Sequence, residues 1–217
     1  MSHILRGGLF VLLLSASTIP CAAEDYTGYG GIGLYLGGAT FTGDQTVSQY
    51  AEPRLTGGFV FTYGVSSRLL ADFTVGWVWN RLDSDDERYY TVTVVPLFTP
   101  GVRYELLGGK KTRPYLGGGG GFYNWFIQTE DLGAAVDPIT NERLRRVDWG
   151  VYGIAGVSRQ MSKKITMTGD GVYNYIFASD SYSYPSGFNG DKSYFELRLR
   201  VTFWFSLSER VDTGLPE

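Results

Sequence analysis

Glu196, Arg198 and Arg200 take alternate positions in the stretch YFELRLRVTFWF, residues 194–205, with Phe195, Leu197, Leu199, Val201, Phe203 and Phe205 between them. A period of two puts the charges on one face of a β-strand and the apolar groups on the other. Three other groups have types that bear on chemistry. Asp83, Asp85, Asp86 and Glu87 crowd five residues and could face a divalent cation, but their spacing fits no calcium loop and reads better as a solvated link. Gly28, Gly30 and Gly33 spell G-x-G-x-x-G, yet no strand precedes them and a strand follows, whereas a dinucleotide site needs a strand before and a helix after. Arg143, Arg145 and Arg146 could meet phosphate groups such as those of lipopolysaccharide, against the plainer reading of a charged loop.

Other chemistry is excluded by what is missing. The one histidine is His3, inside an N-terminal leader: Arg6, the apolar run Leu9–Leu14, then Cys21-Ala22-Ala23 before Glu24. This is the pattern of a secretory signal peptide, residues 1–23, cleaved after Ala23. Reading Cys21 as a lipid-modified cysteine fits less well, because Thr18-Ile19-Pro20 lacks the Leu and small residue expected before it. The mature chain then has no histidine, which removes Ser-His-Asp chemistry, and no cysteine, which removes a disulfide framework. No catalytic, cofactor or metal site is expected. A carboxylate-only hydrolase is the remote enzymatic alternative.

The charges need an element to hold them. Of 19 basic residues Arg6 leaves with the leader, against 22 acidic ones, and this mild acidity makes no case for nucleic acid as a partner. Glycine is abundant, 30 of 217, and lies among aromatics and β-branched residues rather than prolines, so it belongs to strands. Eight strands are expected, at 28–40, 54–64, 69–81, 89–105, 114–127, 147–160, 165–177 and 194–205. The alternation assigns Ile32, Leu34, Leu36, Leu55, Phe59, Phe61, Phe73, Trp79, Val92, Val94, Phe98, Val102, Trp149 and Val151 to the apolar face.

Long polar links near 41–53, 82–88, 128–146 and 178–192 alternate with short ones near 65–68, 106–113 and 161–164. An even number of long antiparallel strands with one end of tight turns and one of long loops is the pattern of a membrane barrel. Tyr63, Trp79, Tyr89, Tyr90, Tyr104, Tyr115, Trp125 and Trp149 stand near strand ends, where interfacial aromatic belts are expected. A soluble sandwich would use the same apolar face inward, but its strands are ordinarily much shorter.

The fold expected is therefore all-β: an eight-stranded antiparallel up-and-down transmembrane β-barrel over residues 24–205, with a polar tail at 206–217. Lipid faces the apolar side. The lumen receives Arg54, Arg103, Arg198 and Arg200 against Asp72, Glu105, Asp148, Asp170 and Glu196. Such charges are tolerable inside only when paired. With residue 165 near residue 205, Asp170 is expected opposite Arg200 and Asn174 opposite Glu196. The glycine-rich first and fifth strands leave room that Arg198, Arg200 and Trp204 could fill.

The stretch TVTVVPLFTPGVRYELLGGKKTRPYLGGGGGFY, residues 91–123, resembles the eight-stranded outer-membrane β-barrel proteins, the OmpA-, OmpX- and OmpW-like group. The resemblance implies a multi-pass protein of the Gram-negative outer membrane, monomeric, with periplasmic termini. Its partners would be outer-membrane lipid, lipopolysaccharide and the barrel-assembly machinery. It implies a structural or surface-interaction role, or alternatively a narrow channel for small hydrophobic molecules. A lipid-modifying enzyme is the remote case. One departure stands out: members usually end on an aromatic residue, whereas here Phe205 precedes the polar tail.

Overall fold

The computed structural model describes residues 24–42, 51–52, 54–83, 89–129, 131, 133–137, 139–177 and 193–207. Residues 1–23, where a signal peptide is expected, most of the long links including the acidic run 84–87, and all but the first two residues of the tail lie outside this set. The strands are β1 (Tyr29–Phe41), β2 (Ala51–Glu52), β3 (Arg54–Gly64), β4 (Leu69–Asp83), β5 (Tyr89–Glu105), β6 (Thr112–Thr129), β7 (Arg145–Gln160), β8 (Ile165–Ile176) and β9 (Tyr194–Ser206). The two-residue β2 pairs with β4, as β3 does, and extends the same wall. Each long strand is antiparallel to its neighbours, and β1 pairs with β9 as well as with β3, so the sheet is a closed eight-stranded barrel.

Closure decides what the two faces mean. Every wall strand has partners on both sides, so backbone polar groups are met without water. Outside, Leu36 is 60% exposed, Leu55 65% and Leu197 63%, and Phe59, Phe98, Phe122, Trp149 and Phe203 are also open. So large an apolar surface is out of place in water but is what a bilayer requires of a barrel. Inside, Arg200, Tyr35, Tyr115 and Tyr123 are among the most completely buried side chains.

The expected strand phases hold on β1, β3, β7, β8 and β9 but not along all of β5. Leu97 is an extra residue there: Pro96 pairs with Tyr123 while Phe98 pairs with Phe122, and the β4–β5 ladder shifts between Thr74 and Val78. One inserted residue reverses which face the following side chains take. Val94, expected in lipid, is instead fully buried in the interior cluster with Val78, Trp125, Ile127 and Tyr194, whereas Phe98 and Val102 face out as expected. Pro96 has no N–H for a ladder, and an irregularity is where a strand accepts it.

Two of the expected belt aromatics are also relocated. Tyr115 and Trp125 share the inward face of β6 and are buried, because the glycine run between them hid that strand's phase. Tyr63, Trp79, Tyr104 and Trp149 do face out.

The glycines serve the interior. A Cβ on Gly76 would strike the Tyr35 hydroxyl, and one on Gly101 the Tyr152 hydroxyl, so two tyrosines lie across the lumen in space that glycine leaves. Gly33 makes room for the Arg200 stem and Gly31 for Trp204, as the sequence suggested for the first strand. On the glycine run of β6 the occupants are different: Ile154 at Gly117 and Tyr152 at Gly119.

Candidate functional site: a closed lumen of paired charges

Eight of the nine ionisable residues expected inside lie buried there: Asp72, Arg103, Glu105, Asp148, Asp170, Glu196, Arg198 and Arg200. Arg54 does not. It has the inward phase, opposite Ala39, but stands at the first position of β3 and is exposed at the rim.

Midway along the barrel Asp170 accepts a hydrogen bond from Arg198 Nε at 2.7 Å and from Tyr115 Oη at 2.8 Å, with Arg200 Nη2 at 3.7 Å from its other oxygen. The expected register is off by two residues: Asp170 pairs with Arg198, and Thr168 stands opposite Arg200. An even slip keeps every charge inside, which is why alternation alone could not distinguish the two. Asn174 likewise pairs with Tyr194, not Glu196, yet its Nδ2 still reaches Glu196 Oε1 at 3.0 Å. Thr56 Oγ1 donates to the other Glu196 oxygen at 2.6 Å. Arg198 also lies over the Tyr35 ring, 4.8 Å from its centre.

A second group lies nearer the short turns. Asp72 accepts from Thr62 Oγ1 at 2.7 Å and from Arg103 Nη2 at 3.2 Å, and Arg103 sits over the Tyr115 ring at 4.9 Å. Sequence reasoning missed a third: Arg113 Nη1 donates to Glu105 Oε2 at 2.8 Å and its Nη2 to the Glu24 carbonyl at 2.6 Å. Its inward phase two residues before Tyr115 was the available signal, obscured by the same glycine run.

That last contact closes the mouth. Glu24 N donates to Gln160 Oε1 at 3.0 Å, and Tyr26 stacks on Trp204 with ring centres 4.1 Å apart. Next to it Asp25 is held below the usual carboxylate range, chiefly by the Thr27 hydroxyl that donates to it. At the long-link end the interior is apolar instead: Phe41, Val78, Val94, Trp125, Ile127, Leu144, Ile176 and Tyr194. Asp148, below them, accepts from Trp125 Nε1 at 2.7 Å and has Arg146 at 3.4 Å. Arg143 and Arg145 are exposed.

The cavities lined by described residues are small. Two cavities, one against Arg103, Arg113 and Trp204 and one against Tyr35, Tyr152 and Glu196, each offer about 10 Å³, roughly one water apiece. Among the described residues no group of three or more His, Cys, Asp or Glu side chains converges as metal ligands do.

The closed eight-stranded wall has solved counterparts. The outer membrane protein OprG of Pseudomonas aeruginosa matches over 84% of this chain and 98% of its own, at 13% identity and TM-score 0.54. Neisserial surface protein A matches over 82% and 96%, at 12% identity and TM-score 0.51. The outer membrane protein AlkL, solved in lipid bilayers, matches over 88% and 97%, at 16% identity and TM-score 0.51. This chain has the eight-stranded outer-membrane β-barrel fold. No family model and no curated protein matches it. At such identities the likeness concerns the fold, and what the barrel does must come from its own side chains.

Proposed function

We propose that this protein is a plugged, non-enzymatic barrel of the outer membrane, with a structural or surface-interaction role carried by its long links. The supporting observation is the lumen. Asp170 with Arg198, Asp72 with Arg103 and Glu105 with Arg113 form buried ion pairs between neighbouring strands on its inner wall, and the side chains of Tyr35, Tyr115, Tyr123 and Tyr152 share the interior with them. A permeant ion would have to displace pairs whose partners, once alone, would be buried and uncompensated. Residues beyond 23 include no histidine, which removes a Ser-His-Asp triad from its roles. In this reading the long links lie outside the cell and the termini in the periplasm, by the usual asymmetry of such barrels. Arg143 and Arg145, exposed at the long-link end, are the candidates for lipopolysaccharide phosphates.

The deciding measurement is the conductance of refolded protein in a planar bilayer. Silent insertion is expected. A stable unitary conductance would overturn the plugged reading.

One observation favours a second reading, a narrow path for small hydrophobic molecules. The β4–β5 ladder is interrupted between Thr74 and Val78, and Pro96, at the bulge, lines the central cavity with Thr74 and Thr99. Faster entry of an apolar fluorophore into vesicles carrying the protein, abolished by a disulfide across that interruption, would support it.

A further inference from the structure

The three short turns carry a repeated pair of features. Val65 precedes Arg68, Leu106 and Leu107 precede Lys110 and Lys111, and Met161 precedes Lys163 and Lys164; all nine side chains are exposed. Each turn therefore presents apolar surface to the edge of the bilayer core, with a cation a few residues beyond it. The backbone fixes the cations around the mouth. The Arg68 carbonyl accepts from Glu105 N on β5 at 2.8 Å, that of Lys111 from Gln160 N on β7 at 2.8 Å, and that of Lys164 from Trp204 N on β9 at 2.8 Å. The Arg68 side chain crosses to the next turn, where a Cβ on Gly108 would lie 2.9 Å from its Nε.

Among the described residues, opposing charge at this end is sparse. Glu24 stands 3.5 Å from Lys163, whose side chain stays 87% exposed, and Asp25 is engaged by Thr27. Glu105 is buried on Arg113. Five exposed cations at one rim thus belong to a chain whose formal net charge is −3.

We propose that the short-turn rim is a binding surface for anionic phospholipid headgroups, with the turn cations meeting lipid phosphates while Val65, Leu106, Leu107 and Met161 dip into the acyl boundary. Basic groups beside apolar anchors at an interface are drawn to anionic lipid, and the attraction is screened by salt. The proposal rests on the barrel crossing a bilayer but not on whether its lumen conducts or which way it is inserted.

The test compares refolded protein in vesicles of phosphatidylcholine alone and with about one-third phosphatidylglycerol, reading the urea unfolding midpoint at low and high salt. Net charge alone predicts that the anionic vesicles destabilise the protein. The rim predicts the reverse at low salt, with the gain abolished by high salt. A variant with R68Q, K110Q, K111Q, K163Q and K164Q should lose the gain, whereas R54Q, exposed at the opposite rim, should keep it. A basic side chain at an anionic surface is worth on the order of fivefold in affinity, so losing five should cost well over tenfold. If the variant with all five changes does not refold, K110Q/K111Q and K163Q/K164Q are each expected to lose part of the gain. No gain in the parent protein, a gain retained by the rim variants, or the same gain from inorganic phosphate with neutral vesicles would each overturn the proposal.

Discussion

Asp170 on β8 and Arg198 on β9 are register partners, joined by a 2.7 Å hydrogen bond from Arg198 Nε to Asp170 Oδ1 deep in the barrel. Arg200 approaches the same carboxylate from two positions along. One acid thus answers two guanidinium groups. Breaking a buried pair from one side typically costs ~3–5 kcal/mol, because the survivor stays charged and dry. Asp170→Ala should be at the upper part of that range, since it strands both arginines. Asp170→Ala with Arg198→Met should be milder than Asp170→Ala alone. Urea unfolding of refolded protein measures both, and additive losses would mean that the pair is not coupled.

The phase reversal at Leu97 gives a second prediction. Spin labels at Leu97 and Phe98 should be relaxed by oxygen dissolved in lipid, because both positions are exposed on the outer face. A label at Val94 should be shielded, because Val94 is buried with Val78 and Tyr194. Without the bulge, Phe98 and Val94 share a phase and would respond alike.

That comparison also marks what alternation can and cannot specify. On β9 every second residue declares its face, and the observed burial follows it from Phe195 to Phe205. The β8–β9 register was beyond reach, because a long link joins these strands and any even shift keeps Asp170, Arg198 and Arg200 inside. Lumen contacts choose among the shifts, and those depend on Tyr115 from β6. The phase of β6 itself was hidden by Gly117 to Gly121, residues with no side chain to point either way. The bulge on β5 left only Pro96 as a clue, and a proline in a strand signals an irregularity without giving its direction.

Topology is open to chemical labelling. Cysteine at Ser84, in a long link, should react with an impermeant maleimide on intact cells. Cysteine at Ser162, in a short turn, should react only after the outer membrane is breached. The opposite pattern would invert the proposed orientation and move the basic rim to the cell surface.

The outer face predicts a depth-dependent penalty. Leu199 is exposed near the middle of β9, so Leu199→Arg should cost ~2–4 kcal/mol in a bilayer. Phe205→Arg, at the rim end of the same face, should cost ~0–1 kcal/mol, because its charge can reach the headgroups. Equal losses in a vesicle unfolding titration would show that this face is not graded by membrane depth.

The last prediction concerns how the lumen is filled. Tyr35 projects from β1 across the interior, and its hydroxyl occupies the place where Gly76 on β4 has no Cβ. Alanine at 76 would collide with that hydroxyl and crowd the Gly57 carbonyl at 2.7 Å. Overpacking a dense core typically costs ~1–3 kcal/mol, and Gly76→Ala should fall in that range. Tyr35→Phe removes the atom that clashes but leaves the ring 3.1 Å from the new methyl at its Cζ, so it should restore part of the loss and not all of it. Tyr35→Leu, which withdraws the ring as well, should restore more, after allowance for its own cavity. The measurement is a cycle of unfolding free energies for the two sites taken singly and together. If Gly76→Ala costs the same in the parent protein as in the Tyr35→Phe and Tyr35→Leu variants, the glycine is not there to admit the tyrosine.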